Sequence, residues 1–501
     1  MTKRIENLEI TDIADEGRGL GRMDGRVIFV NHVVPGDIIN ADIKRKKNKF
    51  IEATVAEYLI YSAHRTNPLC KHFGVCGGCK RQNMQYEQQL FYKAKQVRDA
   101  LVRIAGIENP VIEEILPSAE IYHYRNRLDF AFSEKEWLTV DKLQNKEYQI
   151  QPALGFHITG RFDKVLNIDE CLLMDEPVNR IRNFVKSFAL KENITFFNRI
   201  SQQGDLRNML VRNTTSGQWM VVIIFADANE EKRSKLLNAI NKEFPEISSL
   251  FYFINQKKND TFFDLQPILW SGTETITENM GALMFTVGPK TFFQTNPVQA
   301  VELYKTALSF AALQPHEVVY DLYTGTGTIA NFMSKQCKKV IGIESVEESV
   351  IQAKLNSESN SICNTEFFTG DMRETLNATF FETYGFPDVI ITDPPRAGMH
   401  PDVVSRICNS GAGRVVYVSC NPSTMARDIA LMKDTYTLVK AKPVDMFPQT
   451  DHIECVALLE KKYLISLHSF MWRTLSDINA VNQMICSLLN SNLKFHAKVP
   501  L

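Results

Sequence analysis

One stretch restricts the possible folds more than any other. The apolar run Val318-Val319-Tyr320 leads into Asp321-Leu322-Tyr323-Thr324-Gly325-Thr326-Gly327-Thr328, and Ile329, Ala330, Phe332 and Met333 then read as a helix. A second apolar run, Val340-Ile341-Gly342-Ile343, ends in Glu344, about 20 residues further on. Strand, glycine loop, helix, strand and acid in that order form the mononucleotide half of a doubly wound sheet. The glycines let the backbone approach a ligand, and the acid at the next strand tip takes ribose hydroxyls. A nicotinamide fingerprint needs a third glycine to bring the helix close under a pyrophosphate, and that glycine is missing. A ligand without pyrophosphate, such as S-adenosyl-L-methionine, fits better; the bland alternative is an ordinary glycine-rich turn.

Two later strand ends narrow the chemistry. The run Val389-Ile390-Ile391-Thr392 enters Asp393-Pro394-Pro395-Arg396-Ala397-Gly398, and Val415-Val416-Tyr417-Val418 enters Ser419-Cys420-Asn421-Pro422. Open α/β sheets place their ligands just beyond such carboxyl ends. A third segment, His452-Ile453-Glu454-Cys455-Val456, puts an acid at the start of a strand. A lone cysteine at a strand end is usually a small core residue. Here Asn-Pro follows Cys420, turning the chain and exposing the thiol, and Asp-Pro-Pro precedes it; both favour a nucleophile.

The rest of the chain supplies other parts. With 501 residues, 44% hydrophobic and 23% charged, it is long enough for several cores and too apolar to be disordered. No apolar run spans a membrane and MTKRIENLEI has no apolar leader, so the expected compartment is the cytoplasm. The first sixty residues read as short strands: around Leu8 to Ile13, 27–30, 38–43 and 50–59, with Gly17, Gly19 and Gly21 between. That spacing predicts a five-stranded barrel of the OB type, and the basic run at 44–49 reads as a hairpin tip facing nucleic-acid phosphates. A helix follows at about 87–104, with Leu90, Ala94, Val97, Leu101 and Ile104 as its apolar face. Residues 120–285 read mostly as strands, with one helix around 231–241. From about 290, strand–loop–helix units signal a parallel sheet covered by helices.

Taken together, Asp-Pro-Pro-Arg-x-Gly at 393–398, Ser-Cys-Asn-Pro at 419–422, His-x-Glu-x-Val at 452–456 and Phe-x-Gln-x-Asn at 292–296 resemble the RNA uracil-5 methyltransferases, nearly to residue 462. Residues 1–60 look like a TRAM domain, and Cys70-x5-Cys76-x2-Cys79 with distant Cys171 is similar to the iron–sulfur ligand set of that family's 23S ribosomal RNA branch. The resemblance implies an α/β fold: a Rossmann-like, doubly wound methyltransferase domain at 286–462, a TRAM barrel at 1–61 and a β-rich central domain at 62–285 carrying the four-cysteine cluster. It leaves 463–501 as an atypical tail, where Ser476 could cap an amphipathic helix. Methylation of a uridine C5, in 23S ribosomal RNA rather than tRNA, by a monomer away from any membrane, is the implied activity; a non-catalytic RNA-binding factor is the rival reading.

Under that resemblance Cys420 is the nucleophile that adds to uracil C6, and Glu454 the base that frees it. S-adenosyl-L-methionine contacts fall to Gln294, Tyr323, Thr328, Glu344, Asp371 and Asp393. Cytosine-5 enzymes carry Pro-Cys in the Asp-x-Pro loop, whereas Arg396 follows Pro395 here. Cys70, Cys76, Cys79 and Cys171 could close round zinc or a four-iron cluster, and the resemblance implies [4Fe–4S]. A fully ligated cluster would be structural, with Lys71, His72, Lys80 and Arg81 around it available to RNA phosphates. The segment Tyr124-Arg125-Asn126-Arg127 reads as a clamp for an extruded strand or as a plain amphipathic strand. Cys337, Cys363, Cys408, Cys455 and Cys486 read as packing residues.

Overall fold

The structure, a computed structural model, describes residues 3–226 and 229–462. Cys486 and the tail helix anticipated after Ser476 lie outside the described residues.

The N-terminal strands β1 (Arg4–Ile13), β2 (Gly19–Met23), β3 (Arg26–Val30), β4 (Ile38–Lys46) and β5 (Phe50–Ile60) close into a barrel in the order β1-β2-β3-β5-β4. Alternate apolar residues fill it, with Ile10, Ile28 and Ile39 at its centre. The basic run 44–49 forms the exposed β4–β5 tip, as anticipated.

The central sheet comprises β6 (Arg127–Ser133), β7 (Ala153–Ile158), β8 (Arg161–Asn167), β9 (Leu206–Asn213), β10 (Trp219–Phe225), β11 (Ile247–Ile254) and β12 (Ile268–Gly272), ordered β12-β11-β10-β9-β6-β7-β8. Strand β10 is apolar at every position because both its faces are covered. Val221 and Ile223 pack under the helices Val178–Lys191 and Glu230–Glu243, while Met220, Val222 and Ile224 join the core of the C-terminal part. Helix Val178–Lys191 falls where the sequence reads as strands. Its buried Val178, Ile181, Val185 and Ala189 have helical spacing that could have revealed it.

A hairpin, β13 (Ile276–Met280) and β14 (Leu283–Val287), packs into the C-terminal core. The sheet there is β15 (Val318–Leu322), β16 (Lys339–Glu344), β17 (Thr365–Thr369), β18 (Val389–Thr392), β19 (Arg414–Ser419), β20 (Tyr436–Val444) and β21 (Glu454–Lys461). Its order is β17-β16-β15-β18-β19-β21-β20. Strands β15 to β19 pair in parallel; β21 enters antiparallel between β19 and β20. Reversal matters for the site, since the start of β21 reaches the same rim as the ends of its neighbours.

Helix Tyr86–Arg103 precedes all this yet buries Val97, Ala100 and Leu101 in the core of the C-terminal part, packing on helix Pro422–Met432 and β20. Its inward face also carries Gln89 and Lys93, where the apolar spacing points to Leu90 and Ala94. Ile104, expected on that face, is exposed.

Candidate active site

Strand β15 ends in the loop that opens the site. Tyr323 has φ +61°, Gly325 +54° and Gly327 +77°, a left-handed path that favours glycine. At Gly327 a Cβ would come within 3.0 Å of both Ala353 and the Phe367 ring, so glycine is what lets helix Thr328–Met333 start close against its neighbours. The loop is held from beneath by Asp321: its Oδ2 accepts from Thr324 Oγ1 at 2.5 Å and from Ala330 N at 3.0 Å. Its Oδ1 is buried without a partner. At the next strand end, Glu344 Oε2 accepts from Gly325 N at 3.2 Å, and Oε1 accepts from Ser345 N and Val346 N. Glu344 is thus fixed beside the glycine loop, where a ribose-binding acid belongs.

Asp393 follows β18, its N–H donating to Leu322 O at 3.3 Å. Cys420 follows β19. Because Ser419 pairs with Cys455 across the antiparallel ladder, Cys420 and Glu454 stand opposite each other at the next position outward. Asn421 caps helix Pro422–Met432, and its Nδ2 donates to Arg396 O at 3.1 Å, tying the cysteine turn to the Asp-Pro-Pro-Arg loop. These residues form one electrostatic unit. Burial, then the Glu454 and Asp393 carboxyls, push the Cys420 thiol up to about 12, with Arg396 opposing. Burial and Asp393 hold the Glu454 carboxyl well above its usual range. Burial raises Asp393 to about 7, and burial with the nearby Asp393 and Glu344 raises Asp321 to about 7.

Gln294 reaches the same place from outside the sheet. Its loop is fixed by the central part: Asn126 Nδ2 donates to Gln294 O at 3.1 Å, and Arg212 Nη2 donates to Thr291 O at 2.9 Å. The last residue of that motif, Asn296, caps helix Pro297–Ala311 and donates to Met446 O at 3.1 Å. Tyr304 on this helix, which the sequence did not single out, lies 3.4 Å from Thr328 Oγ1 through its hydroxyl and interacts with Gln294, Asp321 and Asp393. So Gln294, Tyr323, Thr328, Glu344, Asp393, Cys420 and Glu454 share one rim. Asp371 is at its edge: it caps the short helix Met372–Thr375 and pairs with Arg373, which holds its carboxyl down at about 2.

Three expectations need correction. Tyr124 is buried, its hydroxyl donating to Pro448 O at 3.0 Å; it cannot stack on a base. Asn126 is buried beneath the Gln294 loop, while Arg125 and Arg127 are both half-buried, Arg127 pairing with Asp129 at 2.9 Å. Arg81 is 2% exposed and so is not placed to meet phosphate. Cys363 is exposed, whereas Cys337 and Cys455 are buried. A cleft of about 450 Å³ opens beside the Gln294 loop, with Arg125, Asn213, Trp219 and Pro297 in its walls.

Cys70, Cys76, Cys79 and Cys171 lie in one neighbourhood: Cys70 and Cys76 raise the Cys171 thiol, and all three raise that of Cys79. Burial raises Cys79 and Cys171 to about 12. They do not close, however: among the described residues no group of three or more His, Cys, Asp or Glu side chains is arranged to hold a metal ion. No step of the chemistry below passes through these cysteines.

An open sheet with its last strand reversed, a glycine loop, and a cysteine–carboxyl pair at the rim define a methyltransferase-type enzyme. The solved structure of the Pyrococcus abyssi tRNA (uracil-54, C5)-methyltransferase in complex with S-adenosyl-L-homocysteine superposes with a TM-score of 0.69 at 28% identity, covering 91% of this chain and 100% of that one. A profile described as tRNA (Uracil-5-)-methyltransferase matches residues 273–462, and a TRAM-domain profile matches residues 1–56. A Bacteroides thetaiotaomicron protein named "Uncharacterized RNA methyltransferase" is 50% identical over 452 residues, spanning 89% of this chain and 100% of its own length. A Porphyromonas gingivalis protein of the same name is 46% identical over 460 residues, spanning 90% and 99%. The chain belongs to the RNA methyltransferases, in the family whose catalytic part matches the tRNA (uracil-5-)-methyltransferase profile. No helix among the described residues is long and apolar enough to cross a membrane.

Proposed function

We propose that this protein methylates C5 of a uridine in RNA with S-adenosyl-L-methionine as the donor. The observation that carries the reading is the placement of Cys420 opposite Glu454 at adjoining strand ends. Uracil C5 is a weak nucleophile. Addition of the Cys420 thiolate to C6 moves the C5=C6 electron pair into an enolate, whose C5 attacks the sulfonium methyl. The donor sulfur keeps the electron pair of the broken C–S bond and leaves neutral. Glu454 then takes the C5 proton, C5=C6 re-forms, and Sγ departs as thiolate.

The electrostatics suit this order. In the free protein burial and the neighbouring carboxyls push the Cys420 thiol up, and burial raises those carboxyls too. A cationic sulfonium beside Asp393 favours the charged form of each acid, so the nucleophile ionises when the donor is in place. Gln294, Tyr323, Thr328 and Glu344 would seat the donor, with Asp371 at its outer edge. Residues 1–61 and 62–285 would bind RNA and 286–462 carry out the transfer.

For the substrate we infer 23S ribosomal RNA, from the barrel joined to the four-cysteine set, in a cytoplasmic monomer. The Pyrococcus enzyme, which matches most of this chain, favours tRNA as the second reading. We assign Cys70, Cys76, Cys79 and Cys171 to an iron–sulfur cluster of the [4Fe–4S] type. Protein purified without air that carries zinc, or neither iron nor sulfide, overturns that assignment.

The test of the activity uses transcripts of 23S ribosomal RNA and tRNA made with 5-fluorouridine. Fluorine does not leave as a proton does, so a denaturation-resistant adduct through Cys420 is expected in the presence of the donor. No adduct with either RNA rejects the reading.

A further inference from the structure

The strand that begins with Glu454 is entered through residues 445–453, which have no regular structure and are mostly buried. Buried irregular backbone must find its hydrogen bonds elsewhere, and here it finds them outside the catalytic sheet. Lys93 Nζ donates to Asp445 Oδ1 at 2.6 Å and to Phe447 O at 3.0 Å. The backbone N–H groups of Lys80 and Arg81, just after Cys79, donate to Gln449 O at 2.9 and 3.0 Å. Gln89 completes a reciprocal clasp: its Nε2 donates to Gln449 Oε1, and its Oε1 accepts from Gln449 N, both at 3.1 Å. Gln449 has φ +69°, a conformation a non-glycine residue keeps only where its surroundings hold it. Even the barrel touches this place. A Cβ on Gly17 would come within 3.0 Å of the Lys80 Cβ and 3.4 Å of the Asp451 Cβ.

We propose that Gln89 and Lys93, on the helix outside the sheet, are positioning residues for Glu454. By holding 445–449 in a strained path they fix where β21 begins, and so where the Glu454 carboxyl stands relative to the C5 proton. The inference rests on the reading of Glu454 as the base. Neither residue touches substrate. Their contribution is reach, and an ångström of misplacement costs on the order of 100-fold in rate.

The readout is specific to elimination. A mispositioned base leaves addition and methyl transfer intact but slows removal of the C5 proton, so methylated RNA stays bound to Cys420. Full-length protein with S-adenosyl-L-methionine and ordinary uridine transcripts of 23S ribosomal RNA and tRNA is denatured at intervals, and covalent protein–RNA is quantified. Glu454→Gln sets the benchmark, a stalled adduct. For Gln89→Leu and Lys93→Met, kcat falls about 10- to 100-fold, KM for either substrate stays within about twofold, and adduct accumulates above wild type. Gln449→Gly, in which glycine is at ease at that φ while the side-chain half of the clasp is lost, decides by the same criterion if the other two do not fold. Normal turnover, or a fall in turnover without adduct, in a variant that is folded at the assay temperature overturns the proposal. Should Glu454→Gln itself turn over or fail to trap, the base assignment fails first and takes this inference with it.

Discussion

Both the rim of the catalytic sheet and the buried loop behind it enclose titratable groups that burial pushes toward neutrality, and the two regions differ in whether an opposite charge stands beside them. Behind the rim, Lys93 and Asp445 are both fully buried and joined at 2.6 Å, and the Tyr86 hydroxyl donates to the other Asp445 oxygen at 3.0 Å. At the rim, Asp321, Asp393 and Glu454 have no ion-pair partner among the described residues, and all three are pushed toward their neutral forms. Burial lowers Lys93 to about 8, so the pair gains little net stability, but removing either partner would leave the other buried and uncompensated. Unmatched acids store a preference for an incoming positive charge, which is how perturbed groups come to mark functional sites.

That contrast can be broken by experiment. The largest expected effect is at the rim: Cys420→Ala removes the nucleophile, so turnover falls by roughly 10³-fold or more and no adduct forms with 5-fluorouridine RNA. Residual turnover near wild type would move the chemistry elsewhere. Behind the rim the effect is on stability. Lys93→Met strands a buried carboxylate and costs about 3–5 kcal/mol in urea unfolding of the full chain, and adding Asp445→Asn recovers most of the loss. If the single variant is neutral, the pair is not what holds the loop. The smallest effect runs the other way. Asp321 is raised to about 7 from an unfolded value of about 3.9. Its neutral form therefore favours the fold below pH 4, and this contribution is lost as the pH rises through 7. Asp321→Asn stays neutral throughout, so its melting temperature relative to wild type climbs between pH 5 and pH 8. A constant difference would mean that Asp321 is ionised in the fold throughout that range.

Much of the rim was legible because most of its residues end, directly follow, or in β21 begin, a recognisable apolar strand. Tyr323, Glu344, Asp393 and Cys420 could be placed at one end of a parallel sheet from that alone. The depth of the site was less so. Asp321 reads as part of a glycine loop, and only the distances to Thr324 and Ala330 reveal a buried acid. Tyr304 sits in an apolar helix with nothing to mark its hydroxyl. The helix Tyr86–Arg103 shows the limit most clearly. Apolar periodicity selects Leu90 and Ala94, whereas the buried face carries Gln89 and Lys93, polar groups whose partners lie some 350 residues later in the chain. Hydrophobic patterning cannot see an interior that is satisfied by hydrogen bonds. For the same reason Tyr124 and Asn126, read as facing RNA, turn inward to fasten loops, and Arg81, read the same way, is buried.

The barrel's bend at Gly17 lies against residues from two other parts of the molecule, one beside the cysteines and one just ahead of Glu454. The N-terminal module is consequently more than a tether for nucleic acid. Removing it strips a wall from the interior, so a shortened chain would lose speed together with affinity, and its kinetics would not isolate the contribution of RNA capture.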